Sequence, residues 1–235
     1  MQAGELLGSG RSADVFAVDD QWVLRRYREG GDARAEAAVM GYLAERGYPV
    51  LRVLDRAGAG SAELPRTDLV MQRLHGPSML GALQRGMITA GEAGSVLADL
   101  LRRLHAVPAR ICADPADRIL HLDLHPDNVM LTAQGPMVID WCNTEEGPPG
   151  LDWAMSSLIL AQAAVGTTAV AEPARAVLAS LLTRPGPAVA LWNTNSGCLS
   201  EARRRRAADP SMSRSETRLL ADATELILEL TPARS

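Results

Sequence analysis

The chain lacks lysine, since all 24 of its basic residues are arginine. Every permanently charged basic side chain in a binding site is therefore a guanidinium group, which can bind phosphate or carboxylate through two hydrogen bonds. Cysteine is scarce as well: Cys112, Cys142 and Cys198 are odd in number and show no metal-binding spacing. A reducing cytoplasm is the simplest setting for such a chain.

Long apolar runs, internal repeats and a recognisable signal peptide are missing too, so we expect a cytoplasmic protein without a membrane partner. The formal charge of −4 offers no general attraction for nucleic acid, so no nucleic-acid partner is expected. A chain of 235 residues can bury a substantial core and form one unit of two lobes, as a monomer or a homodimer.

A dense group of polar residues stands out between residues 121 and 140. An Asp and an Asn lie five residues apart in a Pro-containing loop, and the next apolar strand pair is predicted to end on a second Asp. This arrangement is typical of a kinase-type phosphoryl-transfer site. The residues are His121-Leu-Asp123-Leu-His125-Pro-Asp127-Asn128, the strand Val129–Leu131, the turn Gln134–Pro136 and Val138-Ile139-Asp140-Trp141.

The spacing has a chemical reason, because phosphoryl transfer needs positioned reactants and a metal ion held against the phosphates. Mg²⁺ prefers oxygen ligands, so Asn128 and Asp140 are its predicted ligands. Asp123 is the predicted catalytic residue, which orients an acceptor hydroxyl. Two alternatives remain: an ordinary Asp-Pro-Asn turn, and a metallohydrolase site that also uses the histidines and the other aspartate of residues 121–128.

The pattern His-x-Asp-Leu-His-Pro-x-Asn followed by Ile-Asp-Trp resembles the aminoglycoside phosphotransferase and choline kinase-like family, which has a protein-kinase-like fold. The resemblance covers most of the chain and is strongest over residues 4–54 and 100–155. It implies a bilobal α+β fold with a small β-rich N-lobe, residues 1–73, that carries the glycine-rich loop and one αC-type helix. The mainly helical C-lobe, residues 74–235, would hold the catalytic loop and the acceptor site.

The N-terminal sequence supplies the expected nucleotide contacts. Residues 8–15, Gly-x-Gly-x-x-Ala-x-Val, predict a glycine-rich turn in which Gly8 and Gly10 cover the phosphates. The third strand is expected to present Arg25 to the α- and β-phosphates, with Arg26 on its opposite face. A surface charge on an exposed strand is the alternative for Arg25.

A helix is predicted from its N-cap Asp32 to about Arg46, with an apolar stripe at Ala35, Val39, Met40 and Leu43. Glu36 resembles the family glutamate that orients the cation of strand three. A surface role for Glu36 is the alternative, because Glu29 and Glu45 are nearby.

A strand is predicted at Val50–Leu54, and Leu69–Leu74 is predicted to form the last N-lobe strand and the hinge. The backbone of Gln72, Arg73 and Leu74 would contact the adenine.

The C-lobe is predicted to be helical from Gly91 to His105 and near residues 176–182 and 219–230. His105 is expected to pack or cap its helix, His75 to face solvent and His121 to be a buried anchor. His125 is expected to reach the γ-phosphate. Asp152 resembles the family aspartate that begins a buried helix and holds the catalytic loop by hydrogen bonds.

Two charged groups bear on the acceptor. Glu145 and Glu146 are suited to attract a polycation. The four arginines from Arg203 to Arg206 are expected to form a solvated helix surface, with an anionic substrate or partner as the alternative.

The predicted activity is transfer of the γ-phosphoryl group from Mg²⁺-ATP to a hydroxyl of a small molecule: an aminoglycoside, another antibiotic or a metabolic alcohol. GTP is the alternative nucleotide. An inactive nucleotide-binding pseudokinase is a second possibility, because Ala13 replaces the third glycine and lysine is absent. A protein kinase is disfavoured, because the segment from Asp140 to Asp152 is too short for an activation segment.

Overall fold

The computed structural model describes residues 4–10, 12–28, 32–54, 64–183, 197–210 and 212–231. The chain divides into two compact units. Unit 1 comprises residues 1–76 and 130–142, and unit 2 comprises residues 77–129 and 143–235. The lobe boundary after residue 73 stays a prediction, and the units differ from it in that residues 130–142 join the N-terminal part.

The strands are β1 (Leu6–Ser9), β2 (Ala13–Ala17), β3 (Trp22–Tyr27), β4 (Asp68–Gln72), β5 (Arg118–Leu120), β6 (Val129–Thr132), β7 (Gly135–Val138) and β8 (Glu145–Gly147). The helices are α1 (Ala33–Glu45), α2 (Met79–Gln84), α3 (Ala90–Leu104), α4 (Pro149–Val165), α5 (Ala171–Leu182), α6 (Cys198–Ala208), α7 (Arg214–Arg218) and α8 (Leu220–Leu230). A 3-10 turn covers Pro126–Asn128.

Unit 1 contains an antiparallel sheet in the order β1-β2-β3-β4. The alternation of β3 is confirmed, because Arg25 is buried whereas the Arg26 side chain is 44% exposed and pairs with Asp68. The predicted strand at Val50–Leu54 is wrong. That segment makes only isolated bridges, because Val50 pairs with Val138 in parallel and Val53 pairs with Met71 in antiparallel orientation.

Helix α1 begins and ends as predicted. Asp32 is its N-cap and accepts a hydrogen bond from the Arg34 amide, and the helix ends at Glu45. Its predicted stripe is wrong at Ala35, which is exposed, whereas Ala33 is buried together with Glu36. The prediction assumed that only apolar residues face the core, but the charged residue Glu36 lies on the buried face of α1.

Unit 2 is built around α4, which packs against α5, α6 and α8. Most of its side chains are buried, as expected for a helix that is apolar on nearly all sides. Helix α3 packs closely on α5 at Gly94, where an added Cβ would lie 2.6 Å from the Val177 carbonyl oxygen. Within the described ranges, no helix is both long enough and apolar enough to cross a bilayer.

Candidate active site

The guanidinium group of Arg25 lies between two carboxylates in unit 1. Its Nη1 donates to Glu36 Oε1 at 3.1 Å, and its Nη2 donates to Asp140 Oδ1 at 2.7 Å. Burial acts to lower the pKa of Arg25, but the two carboxylates outweigh it and raise the pKa above its ordinary value. Arg25 is thus a buried permanent cation, and the surface-charge alternative is wrong.

Glu36 holds three groups together, and its predicted partnership with Arg25 is confirmed. Tyr27 Oη donates to Glu36 Oε2 at 2.6 Å, and the Trp141 amide donates to Glu36 Oε1 at 3.2 Å. Burial and the Glu36 charge raise the pKa of Tyr27, so the phenol stays a donor. Glu45 is exposed at the helix end, and Glu29 lies outside the described residues.

Sequence reasoning missed Tyr27. The available signal was its position two residues after Arg25 in β3, which places both side chains on one face of the strand. The Arg25 guanidinium also lies 5.1 Å from the centroid of the Tyr27 ring.

Asp140 does not end a strand, contrary to the prediction. β7 ends at Val138, whose amide donates to the Pro49 carbonyl, and Asp140 adopts a left-handed backbone with φ of 63°. This conformation is uncommon for residues other than glycine and occurs often at functional sites. Burial and Asp140 raise the pKa of the neighbouring Cys142 to about 12, so its thiol is protonated at neutral pH.

A cavity of about 490 Å³ opens in unit 1 beside this cluster. Its size is typical of a small-molecule site. Seven predicted residues line it together with apolar side chains, whereas Gly8 does not. The seven are Gly10, Arg25, Glu36, Gln72, Arg73, Leu74 and Asp140; the apolar residues include Leu7, Ala13, Val15, Val23, Met40, Leu51, Met71, Met130 and Ile139.

The glycine-rich turn joins β1 and β2, as the sequence predicted. The Gly10 amide is used within the turn, where it donates to the Ala13 carbonyl at 2.9 Å. Arg28 donates to the Gly10 carbonyl at 2.7 Å and to Asp14 Oδ1 at 2.7 Å, and mainly for this reason the pKa of Asp14 falls to about 2. Phosphate contact by Gly8 and Gly10 stays a prediction.

Two of the three backbone amides in the predicted hinge already form hydrogen bonds within the protein. The Gln72 amide donates to the Arg52 carbonyl at 2.8 Å, and the Arg73 amide donates to the Gln21 carbonyl at 2.7 Å. Among hydrogen bonds between described residues, none uses the Leu74 amide. Of the three predicted adenine contacts, Leu74 is therefore the residue with an amide that can still donate.

The predicted catalytic loop, residues 121–128, follows β5 in unit 2. Asn128 Nδ2 donates to the Asp123 carbonyl at 2.8 Å and to Asp123 Oδ2 at 3.1 Å. The side-chain nitrogen of Asn128 thereby orients Asp123. The other polar atom of the Asn128 side chain, Oδ1, is the one that can bind a cation. The roles of Asp123 as the catalytic residue and of Asn128 as a metal ligand stay predictions, but the two side chains are in direct contact.

His125 caps the 3-10 turn by accepting from the Asp127 amide, and its Nε2 lies 3.7 Å from Asp123 Oδ1. Burial acts to lower the pKa of His125, whereas the charges of Asp123 and Asp127 act to raise it; burial outweighs them, and the pKa falls below its ordinary value. The imidazole is therefore neutral at pH 7. A contact with the γ-phosphate stays a prediction, and such a contact would be a hydrogen bond without a charge.

Asp152 holds the start of the catalytic loop, in agreement with the family resemblance. Its carboxylate accepts from the amides of His121 at 3.0 Å and Leu122 at 2.7 Å, and it contacts His105 Nε2 at 3.0 Å. Burial acts to raise the pKa of Asp152, but these donors outweigh it and lower the pKa. His105 caps α3 as predicted and, in addition, supports this carboxylate.

Leu122, one residue before Asp123, has φ of 61°. Its left-handed backbone is held by the hydrogen bond to Asp152, so the cost of the strained conformation is met by a buried charge-assisted bond. Asp152 of α4 thus fixes the backbone conformation at the start of the predicted catalytic loop.

The charged groups predicted to face the acceptor are engaged within unit 2. Glu146 does not offer its carboxylate to a polycation, because it accepts from the amides of Arg110, Ile111 and Cys112 at 2.6–2.9 Å. Glu145 pairs with Arg205 at 2.7 Å. The arginine run lies on α6, where Arg203 and Arg204 are exposed as predicted, but Arg205 and Arg206 are only half-exposed.

The metallohydrolase alternative is not supported. Among the described residues, no group of three or more His, Cys, Asp or Glu side chains is arranged to hold a metal ion. His121 is fully buried, and its Nδ1 accepts from the Asp123 amide at 3.2 Å, so it serves the loop as a buried anchor. The assignment of Asn128 and Asp140 as Mg²⁺ ligands stays a prediction.

Comparisons with known proteins bear on the fold. Three solved structures share the fold: the gentamicin complex of APH(2″)-IIa (13% identity, TM-score 0.53, 95% of this chain and 90% of that chain covered), the amicoumacin kinase hAmiN (13%, 0.53, 98% and 90%) and a choline/ethanolamine kinase family protein from Mesorhizobium loti (14%, 0.58, 96% and 90%). No match was found among curated proteins.

The fold is thus the protein-kinase-like α+β fold. The model of the phosphotransferase enzyme family matches residues 3–119 and 113–192. The chain belongs to this family, and the resemblance first identified from residues 121–141 is confirmed.

Proposed function

We propose that this protein transfers the γ-phosphoryl group of Mg²⁺-ATP to a hydroxyl of a small molecule. The observation that carries the proposal is the cavity of unit 1, in which a buried guanidinium group stands at one side of an apolar space. A purine needs an apolar space and a few polar contacts, whereas its phosphates need a fixed cation.

Arg25 is the proposed phosphate ligand. Glu36 and Tyr27 fix its position, and a guanidinium group can exchange the Asp140 oxygen for phosphate oxygens without losing its charge. Leu74 would donate its amide to the base, because the Gln72 and Arg73 amides are already used. An acceptor nitrogen of adenine suits this donor, and GTP is the second candidate nucleotide.

In the catalytic loop, Asp123 would accept a hydrogen bond from the acceptor hydroxyl and take its proton late in the reaction. Asn128 holds the Asp123 carboxylate in position through Nδ2. Asn128 Oδ1 and the Asp140 carboxylate would each offer an oxygen to Mg²⁺, which supplies charge stabilisation at the phosphates when bound.

The family indicates a small-molecule acceptor without specifying which one. The structural neighbours include gentamicin and streptomycin complexes of APH(2″)-IIa, an amicoumacin kinase and a member of the choline/ethanolamine kinase family. For this chain we propose a hydroxyl-bearing antibiotic or metabolic alcohol.

An inactive nucleotide-binding protein is the second candidate. The observation that favours it is the 2.7 Å ion pair between Arg25 and Asp140, which occupies one oxygen of a predicted metal ligand. The two candidates differ in whether nucleotide binding is followed by transfer.

The test is transfer of label from [γ-³²P]ATP, with Mg²⁺, to a panel of antibiotics and alcohols. We expect a labelled small molecule, and a loss of roughly 10²–10⁴-fold in kcat for Asp123→Ala. Asp127→Ala is the matched control, because this aspartate lies in the same loop and is exposed. Nucleotide binding without any transfer would establish the inactive alternative, and labelling of proteins alone would establish a protein kinase.

A further inference from the structure

The turn between β1 and β2 borders the cavity of unit 1, which Gly10, Ser12 and Ala13 line. The glycines of the turn do not fix its shape by themselves. Neither Gly8 nor Gly10 has the left-handed backbone that glycine adopts more readily than other residues. Among described residues, an added Cβ would meet nothing within 4 Å at Gly8 and only the Ala13 carbonyl oxygen, at 3.5 Å, at Gly10. The conformation of the turn therefore depends on contacts with other residues.

Arg28, the residue after β3, makes several of these contacts. Its backbone amide donates to the Ser12 carbonyl at 3.0 Å. Its Nη2 donates to Ser9 Oγ at 2.6 Å, to the Gly10 carbonyl at 2.7 Å and to Asp14 Oδ1 at 2.7 Å. Its Nε donates to Asp14 Oδ2 at 3.1 Å. One residue thus binds both ends of the turn.

The hydrogen bonds of the turn support one another. Ser9 Oγ also donates to Asp14 Oδ1 at 2.7 Å, so Ser9, Asp14 and Arg28 form a closed set of hydrogen bonds. Exposed ion pairs contribute little to global stability, and the side chains of Arg28 and Asp14 are 42% and 26% exposed. A planar guanidinium group nevertheless imposes one geometry on its acceptors. The set is therefore suited to fix a local conformation of the turn.

We infer that Arg28 is a positioning residue for nucleotide binding, which holds the turn between β1 and β2 in the conformation that covers the phosphates. The inference rests on the proposed function and names a residue that organises its nucleotide site. Arg28 is not among the described residues that line the cavity, so it acts through the turn and not by contact with the nucleotide. A turn that is ordered before the phosphates bind loses less conformational entropy when they bind.

The experiment uses the full chain and compares two ligands by calorimetry. The first is a Mg²⁺-bound, non-hydrolysable ATP analogue, which has phosphates, and the second is adenosine, which has none. Arg28→Met should weaken binding of the analogue roughly tenfold, because the turn must then be ordered when the phosphates bind. The affinity for adenosine should change less than about twofold, since adenosine has no group for the turn to cover.

Two further variants separate the position of the turn from the charge of Arg28. Asp14→Ala removes a negative charge and the acceptor of two Arg28 hydrogen bonds. A purely electrostatic effect would make this variant bind the analogue more tightly, whereas we expect weaker binding, by roughly threefold or more. Arg28→Lys keeps the charge but loses the planar group, so it should also bind the analogue more weakly than the wild type.

Arg46→Met is the matched control. The Arg46 side chain is 38% exposed, against 42% for Arg28, and it pairs with Glu45 in the same unit. Neither Arg46 nor Glu45 is among the described residues that line the cavity. This variant should bind both ligands as the wild type does.

Unchanged binding of the analogue in Arg28→Met would overturn the inference. Tighter binding in Asp14→Ala would overturn it as well, because charge and not position would then be responsible. Equal losses for the analogue and adenosine would contradict it too, since Arg28 would then support the fold of unit 1 as a whole. A wild type that binds neither ligand would refute the proposed function and the inference with it. Nucleotide binding without transfer would refute the proposed transfer alone, because the inference is measured by binding.

Discussion

The two units each bury a charged group, but they hold it by different means. In unit 1, Arg25 is held by two carboxylate side chains and a tyrosine acts on one of them. In unit 2, Asp152 is held by two backbone amides and a histidine. The side chain of Arg25 can exchange a carboxylate for another anion by a change of rotamer. The amides that bind Asp152 belong to the backbone of a folded loop and cannot move independently of it. Unit 1 is therefore suited to bind a ligand, and Asp152 is suited to fix geometry.

The largest effect is expected when Asp152 is removed. Asp152→Ala leaves two buried amides and His105 without their acceptor, so we expect the free energy of unfolding in urea to fall by about 3–5 kcal/mol. Asp152→Asn keeps one acceptor oxygen and should cost less.

Asp99→Ala is the control for Asp152→Ala. Asp99 forms a surface ion pair with Arg102 on α3, and such pairs contribute about 0–1 kcal/mol. If both alanine variants had the same stability, Asp152 would not hold the loop as described.

A smaller effect is expected for Tyr27→Phe, which removes the hydrogen bond to Glu36 and keeps the ring. A bond to a charged acceptor contributes about 1.5–3 kcal/mol, so we expect a loss of stability in this range or slightly below. The affinity for a non-hydrolysable ATP analogue, measured by calorimetry, should also fall, because Arg25 loses one of its supports. Unchanged affinity together with reduced stability would show that Tyr27 supports the fold but not the cation.

The smallest effect concerns the exposed turn between β1 and β2. The pKa of Asp14 is about 2 in the folded protein against 3.8 ordinarily, so its carboxylate stabilises the folded state above about pH 4. This contribution is lost as the pH falls toward 2. The difference in unfolding free energy between the wild type and Asp14→Asn should therefore shrink between pH 5 and pH 3, and a constant difference would contradict the Arg28 pairing.

Motif spacing predicted much of the site, because several functional residues lie in contiguous segments. Arg25 and Arg26 follow from strand alternation, and the Asp123–Asn128 contact follows from a tight loop of five residues. The N-cap of α1 likewise has a local signature.

Contacts between distant segments could not be predicted in the same way. The engagement of Glu146 by amides more than thirty residues away is a tertiary feature, and so is the Tyr27–Glu36 bond. The left-handed conformation of Asp140 was missed for a related reason: β7 ends where Val138 meets Pro49, a pairing that no local pattern indicates.

The central claim, that Arg25 is the cation for the nucleotide phosphates, is tested most directly by comparing Arg25→Met with Arg26→Met. Both variants take a guanidinium group from a buried carboxylate, Glu36 or Asp68, so both should lose stability. Binding of a Mg²⁺-bound, non-hydrolysable ATP analogue should weaken roughly tenfold or more in Arg25→Met and change less than about threefold in Arg26→Met. Equal affinities for the two variants would contradict the account.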